Sequence, residues 1–301
     1  METTQSEQAF YQNATSNPLL VKKLVRKKEI KLESLEEKLE GKLPITRNEL
    51  IYLVNSHGRN RDFYLRDENQ KEIIVKQCEP KECYDLSKLD TSEITDMSSI
   101  FRNSEFNGDI STWNVSNVTN MRYMFWAAIN FNQKLNFDTS KVTNMNSMFY
   151  EAISFNQPLN FNTSNVTNME AMFYEAEKFN SDIGNWDVSN VIDMSYIFAN
   201  TKAFNQNISS WILDNIKSTY YMFNNAKAFQ NKYNSGEPLP NYTNEIKKWL
   251  NENREKMNMI DVKDKHGNEI DDFFSNITDI YSTNRIGLHN NNIHSLPISI
   301  L

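Results

Sequence analysis

The chain has 301 residues and a mass of 35.3 kDa, room for two ordinary domains or one extended architecture with a sizeable core. Seven glycines exclude a design built on phosphate loops, collagen triplets or flexible linkers, and the net charge of −7 argues against a nucleic-acid binder, which needs a basic patch. A 39% hydrophobic content with 12% aromatics is too high for a disordered chain, and 43 asparagines beside so few glycines point first to internal repetition.

In chain order, residues 1–17 (METTQSEQAFYQNATSN) are expected to be disordered. They hold no basic n-region, no apolar run of signal-peptide length and no lipobox, which places the sequence as it stands in the cytoplasm. No later stretch approaches the 18 apolar residues of a membrane span. Residues 18–84 read as an N-terminal cap. Leu20, Leu24, Leu32, Leu35 and Leu39 set a charged amphipathic helix over 18–40, and residues 64–66 and 73–75 flank DENQKE as a hairpin. Cys78 and Cys83 read as free thiols, since a metal site would need two more ligands. The four histidines, His57, His266, His289 and His294, are scattered on hydrophilic stretches.

From about residue 91 to 231 the chain repeats itself. Met97, Met121, Met145, Met169 and Met194 recur at 24–25 residues, in step with Phe101, Phe125, Phe149, Phe173, Phe198 and Phe223. A second phenylalanine follows at Phe106, Phe131, Phe155, Phe179, Phe204 and Phe229, and an aromatic closes each unit at Trp113, Phe137, Phe161, Trp186 and Trp211. Six such units over residues 85–233 predict a solenoid. Met121, Met124, Phe125 and Ala128 follow i, i+3, i+4, i+7, which predicts a short helix, with Thr119 and Asn120 able to cap its amides. The alternation Trp186, Asp187, Val188, Ser189 predicts a short strand. The expected fold is therefore an α/β repeat, a leucine-rich-repeat-like right-handed solenoid. It has short parallel strands on one face, short helices on the other, and helical and hairpin caps.

Units such as WNVSNVTNMRYMFWAAINFNQ and WDVSNVIDMSYIFANTKAFNQ resemble the BspA-like leucine-rich-repeat surface proteins, whose repeat also occurs in mycoplasma lipoproteins. The resemblance covers about half of the chain, and PITRNELIYLVN at 44–55 is similar to the short helical segment that often precedes the first unit. It implies an adhesive, non-catalytic role at the cell surface or outside the cell, with no shared active site.

Residues 234–301 read as a C-terminal cap. A helix is expected over 241–258, with Ile246, Trp249 and Leu250 on one side, then a second hairpin from Ile260 and Val262 through the turn DKHGNE. Ile286, Leu288, Asn291, Ile293, Leu296, Pro297 and Ile300 match a single ordinary leucine-rich repeat. One repeat cannot bury its own apolar face, so it reads as a lid or as the start of a second array.

Asn107, Asn132, Asn156, Asn180 and Asn205 share one register and are expected to form a ladder whose amides satisfy backbone groups in the bends. Calcium binding by Asp109, Asp138, Asp182 and Asp187 is a weaker reading, because only Asp138 and Asp187 share a register. The residue after each Met-Phe pair is Trp126, Tyr150 and Tyr174 in three consecutive units, which predicts an outward aromatic stripe with Glu151 and Glu175 beside it. Asn114, Asp138, Asn162 and Asp187 lie on the polar strand face and are suited to hydrogen-bonding a peptide, glycan or protein. No G-x-S-x-G, H-E-x-x-H or C-x-x-C occurs. The sequence thus points to a non-enzyme without cofactor, binding a protein or carbohydrate through its surface. The alternative is a structural protein that forms homo-oligomers through the stripe.

Overall fold

The structure, a computed structural model, describes residues 35–59, the strands at 63–66 and 72–75, and residues 84–266. The regular elements are α1 (Leu35–Leu39), α2 (Arg47–Asn55), β1 (Phe63–Arg66), β2 (Glu72–Val75), α3 (Lys227–Tyr233) and α4 (Thr243–His266). Helix α2 falls in the segment read as a short helix. Its first turn is fixed by a capping box, Thr46 Oγ1 accepting from the Glu49 N–H while the Glu49 carboxylate accepts from the Thr46 N–H. Strands β1 and β2 pair antiparallel where the first hairpin was expected. The second hairpin is not formed: Ile260 and Val262 belong to α4, which runs on to His266. The cysteine pair and the single leucine-rich-repeat motif lie outside the described residues.

Between residues 84 and 233 the expected α/β solenoid is overturned. The units contain neither parallel strands nor helices before α3, and each shares with the next only one parallel bridge, in the series Asp96, Asn120, Asn144, Asn168, Asp193, Ser218. After each bridge the chain forms a ribbon of overlapping turns. In the second unit the N–H groups of Met124, Trp126 and Ala128 donate to the carbonyls of Met121, Tyr123 and Phe125, three residues back. The intervening N–H groups leave the unit: those of Met121, Tyr123, Phe125 and Ala127 reach Asn144, Asn146, Met148 and Tyr150 of the following coil at 2.7–3.0 Å. A helix would fold all of these back to i−4. Left-handed residues prevent it, with φ of 60° at Tyr123 and 50° at Ala127, repeated as a pair in every ribbon.

The helical reading failed because consecutive i→i+3 turns and an α-helix place apolar side chains at the same spacings. Met121, Met124, Phe125 and Ala128 are all buried as expected, on a different backbone. The strand reading failed for a similar reason. Trp186 and Val188 are buried and Asp187 is exposed, but the Val191 N–H turns back to Val188 O and the Ser189 N–H to Asp187 Oδ1, so the alternation comes from bends. The extra residue of the 25-residue spacing is also visible. It makes a turn closed by Trp113 on Ile110, Trp186 on Ile183 and Trp211 on Ile208.

The core is two interleaved ladders of phenylalanine. Phe101, Phe125, Phe149, Phe173 and Phe198 stack at 5.1–6.1 Å with ring planes within 3° of parallel. Phe131, Phe155, Phe179, Phe204 and Phe229 form the second ladder and press on Phe125, Phe149, Phe173, Phe198 and Phe223 at 3.8–4.4 Å. Tryptophans fill the longer units, and their indole N–H groups donate to the preceding coil, as Trp211 does to Ile183 O at 3.2 Å. The asparagine ladder is present: the Oδ1 atoms of Asn107, Asn132, Asn156 and Asn180 accept the backbone N–H of Asn132, Asn156, Asn180 and Asn205 at 2.8–3.0 Å.

Because every ribbon donates forward and accepts backward, the first ribbon exposes carbonyls and the last exposes N–H groups. Two arginines close the first end. Arg47 donates to the carbonyls of Asp96 (3.0 Å) and Ser98 (2.6 Å), and the buried Arg59 donates to those of Ile100 (2.8 Å) and Arg102. At the other end the Thr219 N–H reaches Thr243 Oγ1 and the Tyr221 N–H reaches Asn241 O, both at 3.0 Å. Helix α4 lays Ile246, Leu250 and Met257 on the last coil, and its Arg254 takes the carbonyls of Ser209 and Trp211.

Replacing Arg59 by Met leaves two carbonyls without their guanidinium, so a loss of about 3 kcal/mol is expected in urea unfolding. A loss below about 0.5 kcal/mol would show that water replaces the cap. Phe149→Ala, in mid-ladder, is expected to cost about 3–5 kcal/mol, and a loss below about 1 kcal/mol would contradict its place in the stacked core.

Candidate functional site

The predicted stripe exists. Trp126, Tyr150 and Tyr174 are half-buried, one per ribbon, with ring centroids 4.6 Å apart at each step. Each follows the buried phenylalanine of its ribbon and precedes a left-handed residue, Ala127, Glu151 or Glu175, so the turn itself aims the ring outward. Arg102 covers the outer face of Trp126 at 4.2 Å, and Arg122 lies over Tyr123, which itself packs on Trp126 at 4.7 Å.

The stripe is longer than the sequence suggested. Beyond Tyr174 it passes to Tyr196 at 6.4 Å, then to Tyr220 and Tyr221, each 5.7 Å from Tyr196, and on to Tyr242, which is 60% exposed. These residues escape a search of one register, where Ala199 and Asn224 interrupt the aromatics. The available signal was the recurrence of Tyr123, Tyr196 and Tyr221, three residues earlier in the unit. Successive turns bring those positions beside the Trp126 register, as i and i+3 meet on a helix.

The stripe's polar groups are partly engaged. Asn200 Nδ2 donates to Glu175 Oε1 at 3.3 Å, and Asn225 Nδ2 to Asn200 Oδ1 at 3.1 Å, making a polar border beside the rings. Burial pushes the Tyr174 and Tyr196 hydroxyls above their ordinary range, the Glu175 carboxylate adding to the shift at Tyr174. The Tyr220 hydroxyl is pushed up to about 12, first by its hydrogen bond with Tyr221. Burial also raises the Glu170 carboxyl, which accepts from Asn146 Nδ2 at 2.7 Å.

Asn114, Asp138, Asn162 and Asp187 are exposed in one register, as expected. Each uses Oδ1 to accept the N–H two residues on, from Ser116, Ser140, Ser164 and Ser189 at 2.9–3.1 Å. Those serine bonds hold the Asp138 and Asp187 carboxyls below the usual range. Asp109 and Asp182, the other members of the calcium reading, make the same turn with Ser111 and Gly184. Among the described residues no three His, Cys, Asp or Glu side chains stand together to hold a metal ion, and no helix is long and apolar enough to cross a membrane.

These features define a stacked repeat protein whose units are turn ribbons. Three overlapping stretches, residues 71–161, 136–236 and 159–273, match the family described as Mycoplasma protein of unknown function, DUF285. They span about two thirds of the chain, and the chain belongs to that family. No curated protein and no solved structure matches.

If Tyr221 sets the Tyr220 titration, Tyr221→Phe should bring Tyr220 back from about 12 towards the ordinary value of about 10. NMR of carbon-labelled tyrosine through the alkaline range reads this, and an unmoved midpoint would remove Tyr221 as the cause.

Proposed function

We propose that this chain is a non-catalytic repeat protein that binds a partner through its aromatic stripe. The observation that carries the reading is the continuity of the stripe, from Arg102 over Trp126, Tyr150 and Tyr174 to Tyr242, across every ribbon of the stack. A row of partly exposed aromatics is the composition that interaction surfaces favour. Its geometry favours a protein over a glycan. Tyr150 and Tyr174 stack within 11° of parallel, so their facing surfaces cover each other and solvent meets edges. A sugar ring stacks on an aromatic face, whereas a protein side chain packs equally well on edges. The resemblance to BspA-like surface proteins supports an adhesive role at the cell surface or outside the cell. The binding mode is the same in the cytoplasm.

The second reading, self-association through the same stripe, rests on Tyr220 and Tyr242 being exposed at its end. Replacing Trp126, Tyr150 and Tyr174 together by serine separates the two. Wild type and variant are compared by light scattering and on protein and glycan arrays, with near-ultraviolet circular dichroism to verify folding. Array binding lost at unchanged mass supports the partner reading, and a fall in mass supports self-association. Identical behaviour of both proteins overturns the role of the stripe.

A further inference from the structure

The joint that fastens the N-terminal cap to the stack holds a histidine with one ring nitrogen buried and unserved. His57 follows α2, and the N–H groups of His57 and Gly58 close the helix on Val54 O and Asn55 O at 3.1 Å. The next contacts bind cap to coil. Gly58 O accepts the Glu105 N–H at 3.1 Å, and Arg59 forms an antiparallel bridge with Ser104 while its guanidinium serves the Ile100 and Arg102 carbonyls. The His57 ring stands at 85° to Phe106, with centroids 4.8 Å apart. Phe106 is itself buried and stacks at 4.9 Å on Phe101, the first rung of the phenylalanine core.

The two nitrogens of the ring differ. Nε2 is buried and has no hydrogen-bond partner among the described residues. The bond that the ring makes to the Tyr84 backbone therefore belongs to Nδ1, which donates to the carbonyl and carries the proton of the neutral imidazole. A second proton would bury an N–H and a full charge at Nε2, where no acceptor meets them. The charged groups on the described elements around the joint are Arg47 and Glu49 of α2, Arg59, Asp85 beside Tyr84, and Arg102 and Glu105 of the first coil. Arg47 and Arg59 serve carbonyls, Glu49 serves Thr46 and Lys38, Asp85 accepts the Ser87 N–H, and Arg102 lies on Trp126. None of them enters the balance at His57: burial holds the imidazole below its ordinary value of about 6.5, and the Tyr84 bond only partly opposes it.

We propose that His57 makes the N-terminal cap a pH-sensitive clasp, closed on the first ribbon while the imidazole is neutral and released when Nε2 takes a proton. Release lifts Arg59 from the Ile100 and Arg102 carbonyls, so mild acid uncovers the carbonyl edge of the stack. The sign follows from the open state, in which the ring regains its ordinary value. Neutral His57 contributes to closure in full above about pH 6.5, and that contribution falls as the pH drops from there towards the lower value of the closed state. The far end of the stack, closed by Asn241 and Thr243, takes no part. The clasp stands apart from the aromatic stripe and does not depend on its role.

Amide hydrogen exchange of the full chain, read by NMR and corrected for the intrinsic effect of pH, tests this. The Glu105 N–H, bound to Gly58 O, reports on the clasp, and the Tyr221 N–H, bound to Asn241 O, reports on the far end. From about pH 7.5 to about pH 5, opening at Glu105 is expected to rise about fivefold or more, and opening at Tyr221 less than about twofold. H57F keeps an aromatic ring in the joint without a titrating nitrogen, and its Glu105 response should fall below about twofold. H57Q, which cannot titrate either, gives the same reading should H57F fail to fold. The His57 ring resonances of wild type should titrate with a midpoint below about 6.5. A Glu105 amide indifferent to pH, an equal response at Tyr221, a response that survives in the folded variant, or a His57 midpoint at or above about 6.5 overturns the proposal.

Discussion

The structure depends on the sense of the backbone hydrogen bonds in the turn ribbons. Twelve left-handed positions, two per ribbon, are held by serine, alanine, asparagine, tyrosine and glutamate. Each costs about 1–2 kcal/mol relative to the right-handed region. In eleven of them the residue's own N–H crosses to the next coil or to the segment after the last one, so the strained conformation is the one that makes the stacking bond. The same geometry points the ribbons' crossing donors one way along the stack, while the residue ahead of each bridge, such as Thr119 or Thr143, donates to the coil before. Its two ends are therefore unlike, and each needs a cap of opposite character. Arg47 and Arg59 bring donors to one end, and Asn241 and Thr243 bring acceptors to the other.

Stacking at a constant step explains why the same few residue types recur. Planar side chains one coil apart lie at ring-stacking distance, so phenylalanine serves the interior and tyrosine or tryptophan the outside. Asparagine serves the polar edges because its amide both donates and accepts, joining a coil to its neighbour while serving its own bend. The asparagine excess is thus mainly a matter of ladders and turns. It does not stand in for glycine at the left-handed positions, of which asparagine holds three.

This economy separates structural polar groups from available ones. Asn114, Asp138, Asn162 and Asp187 looked free in the sequence, yet each secures its own turn. What remains unengaged is the edge of the aromatic stripe and the side-chain oxygens of Asn165, Asn190 and Asn215, which accept no hydrogen bond among the described residues. Neither resembles a catalytic pocket, and a family defined as being of unknown function adds no activity to either.

The sequence by itself determined the repeat, its six units, the buried phenylalanines, the asparagine ladder and the start of the aromatic stripe, because each is a periodicity that stacking makes visible in one dimension. Only the tertiary structure decided the backbone. Spacings of three and four residues suit a helix and a series of turns equally, and the choice falls to where alternate N–H groups find partners. In this chain those partners lie 23–24 residues on, as between Tyr123 and Asn146 or Asn103 and Trp126, beyond the reach of any local pattern. The same holds for Arg47 and Arg59. Two ordinary arginines in a preceding segment close the stack because the first ribbon presents four carbonyls to them.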